Sequence, residues 1–181
     1  DWKRMSTADI LKRGAERVPN KTALVDGERR VTYRELDERA TALASSLQEM
    51  GFGKGDRIAI YMKNSLELVT AFYALQELGI IVAWANPNYR VAEAQFILKN
   101  SGARAVFIFR EWEGYDYLSA LQGMKQELPA LERIFVVGAG GGEGVSLFED
   151  LLKRGHGKKP VLPEIRNDQD LSMLIYTSGT T

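Results

Sequence analysis

Two hydrophobic rhythms alternate along the chain. Thr22–Val25 and Arg30–Thr32 are short β-type runs around Asp26-Gly27, a turn dipeptide that predicts a hairpin. Thr32 and Glu35 then have the spacing of a capping box, and Leu36, Ala40, Leu43, Leu47 and Met50 follow at three- and four-residue steps. That is one face of a helix, with Gly51 as its stop. Asp56–Tyr61 reads as a strand. Asn64 and Glu67 open a second helix on Leu66, Val69, Phe72, Tyr73 and Leu78, closed by Gly79. Ile80–Ala85 is an apolar run ended by the turn Asn86-Pro87. Val91–Lys99 predicts a third helix, stopped at Asn100–Gly102, and Ala105–Phe109 the next strand. Tyr117–Leu128 is helical by spacing, with Pro129 beyond it, and Ile134–Val137 is strand-like.

Strands alternating with helices of this length predict an α/β fold, doubly wound, with a mainly parallel sheet and helices on both faces. Ligands of such sheets bind beyond the carboxyl ends of the strands. The last eleven residues fit that geometry. Leu171–Ile175 is apolar, and Tyr176-Thr177-Ser178-Gly179-Thr180-Thr181 is a burst of hydroxyls around one glycine. Buried hydroxyls without partners cost free energy, so this is poor core material. It suits a polyanion, because backbone N–H groups near glycine form a nest and hydroxyls add donors without bulk.

Composition narrows the classes. The chain has 181 residues, enough for one ordinary domain, with 45% hydrophobic and 27% charged residues. Lys+Arg and Asp+Glu are 24 each, so no basic field collects nucleic acid or an anionic membrane. There is no cysteine, which excludes disulfides, thiolate zinc sites and a cysteine nucleophile and fits a cytoplasmic protein. One histidine, His156, cannot build a histidine metal site. The longest apolar run, Gly79 to Ala85, is far shorter than a membrane span, and no secretory signal is visible.

Other patterns are read as structural. Gly138–Gly144 follows a strand but matches neither G-x-G-x-x-G nor G-x-x-x-x-G-K-[ST]. Residues 138–146 are expected to be a flexible connection. Gly51–Asp56 reads as a turn into the next strand, and Lys153–Lys159 as a solvated loop. The carboxylate pairs Asp37/Glu38 and Glu111/Glu113 fall in polar, exposed-looking stretches. Trp112, Tyr115 and Tyr117 lie among acidic residues, which favours packing over nucleic-acid stacking.

With these elements in order, the chain resembles the adenylate-forming (AMP-binding) enzymes, specifically acyl-CoA synthetases. The stretches that carry the likeness run from about Leu11 to the end: Pro19–Asp26, Val31–Leu36, Gly55–Ile60, Asn64–Glu67, Asn86–Arg90 and Ser101–Arg104. The specific one is Tyr176–Thr181, similar to the start of the family's phosphate loop. The resemblance implies that residues 1–181 are the N-terminal part of a large adenylation domain. It implies activation of a carboxylic acid by Mg2+ and ATP, then transfer of the acyl group to coenzyme A. Thr177, Ser178, Gly179, Thr180 and Thr181 are then ATP phosphate-binding residues. The family's magnesium glutamate, ribose aspartate and lid lysine have no counterpart in these 181 residues, so no catalytic residue and no metal ligand is assigned, and the piece alone is expected to be inactive. A fatty acid is the expected substrate. An aryl-acid adenylase is the alternative, and a non-enzymatic α/β interaction module is the alternative of another class. A homodimer is left open.

Overall fold

The structure is a computed structural model that describes residues 6–177. Helix α1 (Thr7–Arg17) is followed by the hairpin β1 (Thr22–Asp26) and β2 (Arg29–Thr32), paired antiparallel. Helix α2 (Tyr33–Glu49) begins on the expected capping box: Thr32 Oγ1 accepts from the Glu35 N–H, and the Glu35 carboxylate accepts from the Thr32 N–H at 2.8 Å. Four βα units follow, namely β3 (Arg57–Tyr61) with α3 (Leu66–Glu77), β4 (Ile81–Trp84) with α4 (Val91–Ser101), β5 (Ala105–Phe109) with α5 (Tyr117–Met124), and β8 (Arg133–Val137) leading to β9 (Val145–Leu147) and α6 (Phe148–Gly155). A small hairpin, β6 (Glu111–Trp112) and β7 (Tyr115–Asp116), lies between β5 and α5, and β10 (Met173–Ile175) comes last.

Six strands form the main sheet in the order β10-β4-β3-β5-β8-β9, and every pairing in it is parallel. Side-chain alternation along these strands builds two cores. Ile58, Ile60, Val82, Phe107 and Phe135 face α2, α3 and α6. Ala59, Tyr61, Ala83, Val106, Ile108, Ile134 and Val136 face α4 and α5. A strand buried on both faces reads as a continuous apolar run, which is why Ala105–Phe109 is so plain in the sequence. A third cluster of Leu11, Val31, Leu36, Ala40 and Leu66 welds α1 and the first hairpin onto α2 and α3. The expected doubly wound fold is therefore what the chain adopts.

The structure changes several boundaries. Ser65, not Asn64, caps α3, its hydroxyl accepting from the Leu68 N–H at 3.1 Å. Glu67 turns inward and pairs with Arg29 at 2.5 Å. Asp26 of the hairpin accepts from the Leu66 N–H at 2.9 Å, so the first donors of α3 are satisfied partly from outside the helix. Helix α5 ends at Met124 and continues only as a 3-10 turn, Lys125–Glu127. The basic stretch from Lys153 is not a free loop. Lys153 and Arg154 belong to α6, and Arg154 and Lys158 both reach Glu49 at the end of α2, at 2.9 and 2.7 Å. Asp37 is not plainly exposed either; its Oδ1 is buried and has no hydrogen-bond partner among the described residues.

Residues Val145 and Ser146, at the end of the expected glycine-rich connection, form part of β9. Gly144 shows why glycine is needed there. It has φ +74°, and a Cβ would approach the Glu132 carbonyl oxygen to 2.9 Å. Its own carbonyl accepts from the Ile134 N–H at 2.8 Å, which starts the β8–β9 pairing.

Candidate functional site

The chain runs from β3 outward to β4, then crosses back past β3 to β5. This reversal places a topological switch point at the carboxyl ends of β3 and β5, the usual ligand position in such sheets. Lys63, two residues beyond β3, stands at this point. Its ammonium lies 5.7 Å from the ring centroid of Phe109, the last residue of β5. Nothing in the sequence pattern singles Lys63 out. Its position depends on two strands adjacent in space and separated in sequence by a full βα unit.

Beside this lysine lies an open depression of about 540 Å³ with Met62, Lys63, Asn86, Trp84, Trp112 and Tyr176 in its wall. Its rim is held firmly. The buried Tyr61 donates its hydroxyl to the Tyr89 carbonyl, and Tyr117 donates to the Pro87 carbonyl at 2.7 Å. The two rings pack edge to face at 4.9 Å, and Tyr115 packs on Tyr117 at 4.8 Å. Burial pushes both the Tyr61 and Tyr117 phenols up, so they stay neutral donors. Arg90 closes the same turn, its guanidinium 4.5 Å from the Tyr115 ring centroid and bonded at 3.0 Å to the Asn88 and Tyr89 carbonyls. The aromatic cluster of Trp112, Tyr115 and Tyr117 thus packs and anchors, as its acidic neighbours suggested.

Strand β10 lies at the edge of the sheet beside β4. It pairs with β4 in the register Met173 to Val82, Leu174 to Ala83 and Ile175 to Trp84. Tyr176 follows, its ring 6.2 Å from Phe96 and its hydroxyl donating to Asn100 Oδ1 at 3.0 Å. Thr177 is exposed beyond the strand end. Ser178, Gly179, Thr180 and Thr181 lie outside the described residues.

Among the described residues, no group of three or more His, Asp or Glu could hold a metal ion. A larger hollow of about 800 Å³ lies away from the strand ends, in the helical layer beside Lys12, Asp37, Thr41 and Glu77. Its walls are flanks of α1, α2 and α3 together with the segment from His156 to Leu162, and it shares no residue with the depression beside β10.

These strands and helices define a doubly wound α/β unit with β10 at one edge of its parallel sheet. The chain belongs to the AMP-binding enzyme family, whose model matches residues 11–181. It is 31% identical over 180 residues to a 2,3-dihydroxybenzoate-AMP ligase of Bacillus subtilis, covering 99% of this chain and 32% of that protein. It is 26% identical over 183 residues to a medium/long-chain-fatty-acid–CoA/3-oxocholest-4-en-26-oate–CoA ligase of Mycobacterium marinum, covering 98% of this chain and 32% of that protein. Among solved structures, an anthranilate CoA ligase in complex with anthranoyl-AMP superposes with TM-score 0.88 at 29% identity, over 99% of this chain and 33% of that one. The chain spans about a third of the length of the curated relatives it matches.

Proposed function

We propose that this chain is the amino-terminal third of an ATP-dependent acid–CoA ligase. The carboxylate oxygen of the acid attacks the α-phosphorus of ATP, the bond to the β-phosphate oxygen breaks, and pyrophosphate leaves. The acyl group of the resulting adenylate then passes to the thiol of coenzyme A, releasing AMP. Thr177, Ser178, Gly179, Thr180 and Thr181 are the first half of the loop that holds the phosphates. Several hydroxyl and amide donors suit charge that spreads over many oxygens as pyrophosphate departs. Magnesium would accompany the ATP phosphates and offset their negative charge.

The observation that carries this reading is the exit of Tyr176-Thr177 from the carboxyl end of a parallel strand, directly into a run of hydroxyls around glycine. The relatives support an acid as substrate without choosing its class. A fatty acid is the first reading. An aryl acid is the second, favoured by the dihydroxybenzoate ligase at 31% identity. No described helix is long and apolar enough to cross a membrane.

The test is acid-dependent pyrophosphate exchange by the complete protein encoded with these residues, using fatty acids of graded length beside benzoates. Exchange with one class and coenzyme A-dependent thioester formation are expected. Absence of exchange with every acid overturns the reading.

A further inference from the structure

Strand β10 is short and sits at the edge of the sheet, yet the chain passes from it directly to Tyr176 and Thr177. Its three residues pair with β4 alone. A slip of one residue would exchange the faces of Met173 and Leu174 and move Thr177 along the edge by about 3.3 Å. Something beyond three strand residues must select this register. Gln76, in the last turn of α3, is only 5% exposed. Its Nε2 donates to the Ser172 carbonyl at 3.2 Å, and its Oε1 accepts from the Ser172 hydroxyl at 2.6 Å. The same carbonyl accepts from the Val82 N–H at 3.0 Å.

This pairing is selective for register. The residues on either side of Ser172 are Leu171 and Met173, neither of which carries a hydroxyl. A slip in either direction would leave the Gln76 side chain buried with a missing partner, a state with a substantial desolvation cost. The far end of the strand is held from the opposite face of the sheet. There Tyr176 rests on Phe96 and Asn100 of α4, whereas α3 packs on the other core.

We propose that Gln76 is a positioning residue for ATP binding and adenylate formation, acting through Ser172 to fix where the phosphate loop leaves the sheet. The proposal rests on the acid–CoA ligase reading. It adds a residue about one hundred positions before the loop, on a different element, to the machinery of phosphate binding.

The experiment uses the complete enzyme with Gln76→Leu, Ser172→Ala, the double variant, and Gln76→Glu, which keeps the acceptor and loses the donor. Pyrophosphate exchange is measured against ATP concentration, thiol transfer is measured from supplied acyl adenylate, and thermal midpoints are recorded. Gln76→Leu and Ser172→Ala should each weaken the ATP-dependent step by about tenfold to a hundredfold, the range that small misplacements of reacting groups produce. Thiol transfer should stay near the wild-type rate, and the double variant should be no worse than the weaker single. Ser172→Ala, a half-buried surface change, keeps the test alive if Gln76→Leu folds poorly. An unchanged ATP dependence in folded Ser172→Ala enzyme overturns the proposal. So does equal loss in both half-reactions. Wild-type enzyme without exchange for any acid instead overturns the function on which the proposal rests.

Discussion

Glu77 holds one carboxylate oxygen 3.6 Å from the Lys12 ammonium, while its other oxygen is buried with no hydrogen-bond partner among the described residues. The side chain is 1% exposed, and Thr41 donates to the oxygen that faces Lys12 at 3.1 Å. One salt bridge from a partly exposed lysine does not offset removal of a carboxylate from water. Burial therefore raises the Glu77 pKa, with Asp37 adding repulsion against the help of Lys12 and Thr41.

The sign of the pH dependence follows. A carboxyl whose folded pKa lies above its unfolded value is most favourable to folding while protonated. Its contribution is present below the ordinary glutamate value of 4.5 and is lost as pH rises through the folded value. Glu77→Gln keeps the shape and removes the charge. The variant should gain thermal stability over the wild type at pH 8 and lose that advantage at pH 4. Melting curves across this range check it; a constant difference would show that the charge is not the cause.

Helix α6 meets α2 at a point with no spare room. A Cβ on Gly155 would lie 1.8 Å from the Ala42 carbonyl oxygen, and the buried Ser46 hydroxyl donates to the Leu151 carbonyl at 2.5 Å nearby. Gly155→Ala should destabilise the chain by about 1–3 kcal/mol, the usual cost of overpacking. Ser46→Ala should cost about 1 kcal/mol through the lost hydrogen bond. Urea denaturation of both variants tests the ordering.

Tyr61 and Tyr117 hold the 86–90 turn by their hydroxyls and fill the core with their rings. Tyr61→Phe and Tyr117→Phe keep the rings and release the Tyr89 and Pro87 carbonyls. Each should cost about 0.5–1.5 kcal/mol. Hydrogen exchange of the amides in residues 86–93 should rise more than that of β3, which separates a loosened turn from global destabilisation.

In the complete enzyme, replacing Thr177, Ser178, Thr180 and Thr181 together by alanine should slow adenylate formation. The loss of a single oxyanion donor can cost about 3–4 kcal/mol in other enzymes. Thiol transfer from supplied acyl adenylate should fall less, because pyrophosphate has already left. Equal loss in both half-reactions at unchanged thermal stability would give the segment a wider role than phosphate binding.

The order of the central strands and helices, from β1 to α5 and then β8, was legible in the chain because their signals are local, whereas α1, the β6–β7 hairpin and β9 were not read from it. Thr32 and Glu35 are three residues apart, and the Leu36–Leu47 face repeats with the helical period. Ala105–Phe109 is apolar throughout because it is covered on both sides. The segment from Tyr176 onward stood out locally as well, as a burst of hydroxyls around one glycine directly after an apolar strand. Helix α6 was hidden by its shortness, its charges and its terminal glycine. The spacing of Asn64 and Glu67 mimics a capping box, but Glu67 pairs with Arg29 across the fold and Ser65 caps α3.

What the local pattern could not contain was which strands become neighbours. Packing set β10 beside β4 and put Ser172 against Gln76, Tyr176 against Asn100, and Lys63 above Phe109. Hydrophobic periodicity determines which face of an element is buried. The partner of that face, and hence the geometry of the sheet edge at β10, is decided only when several buried faces must be satisfied together.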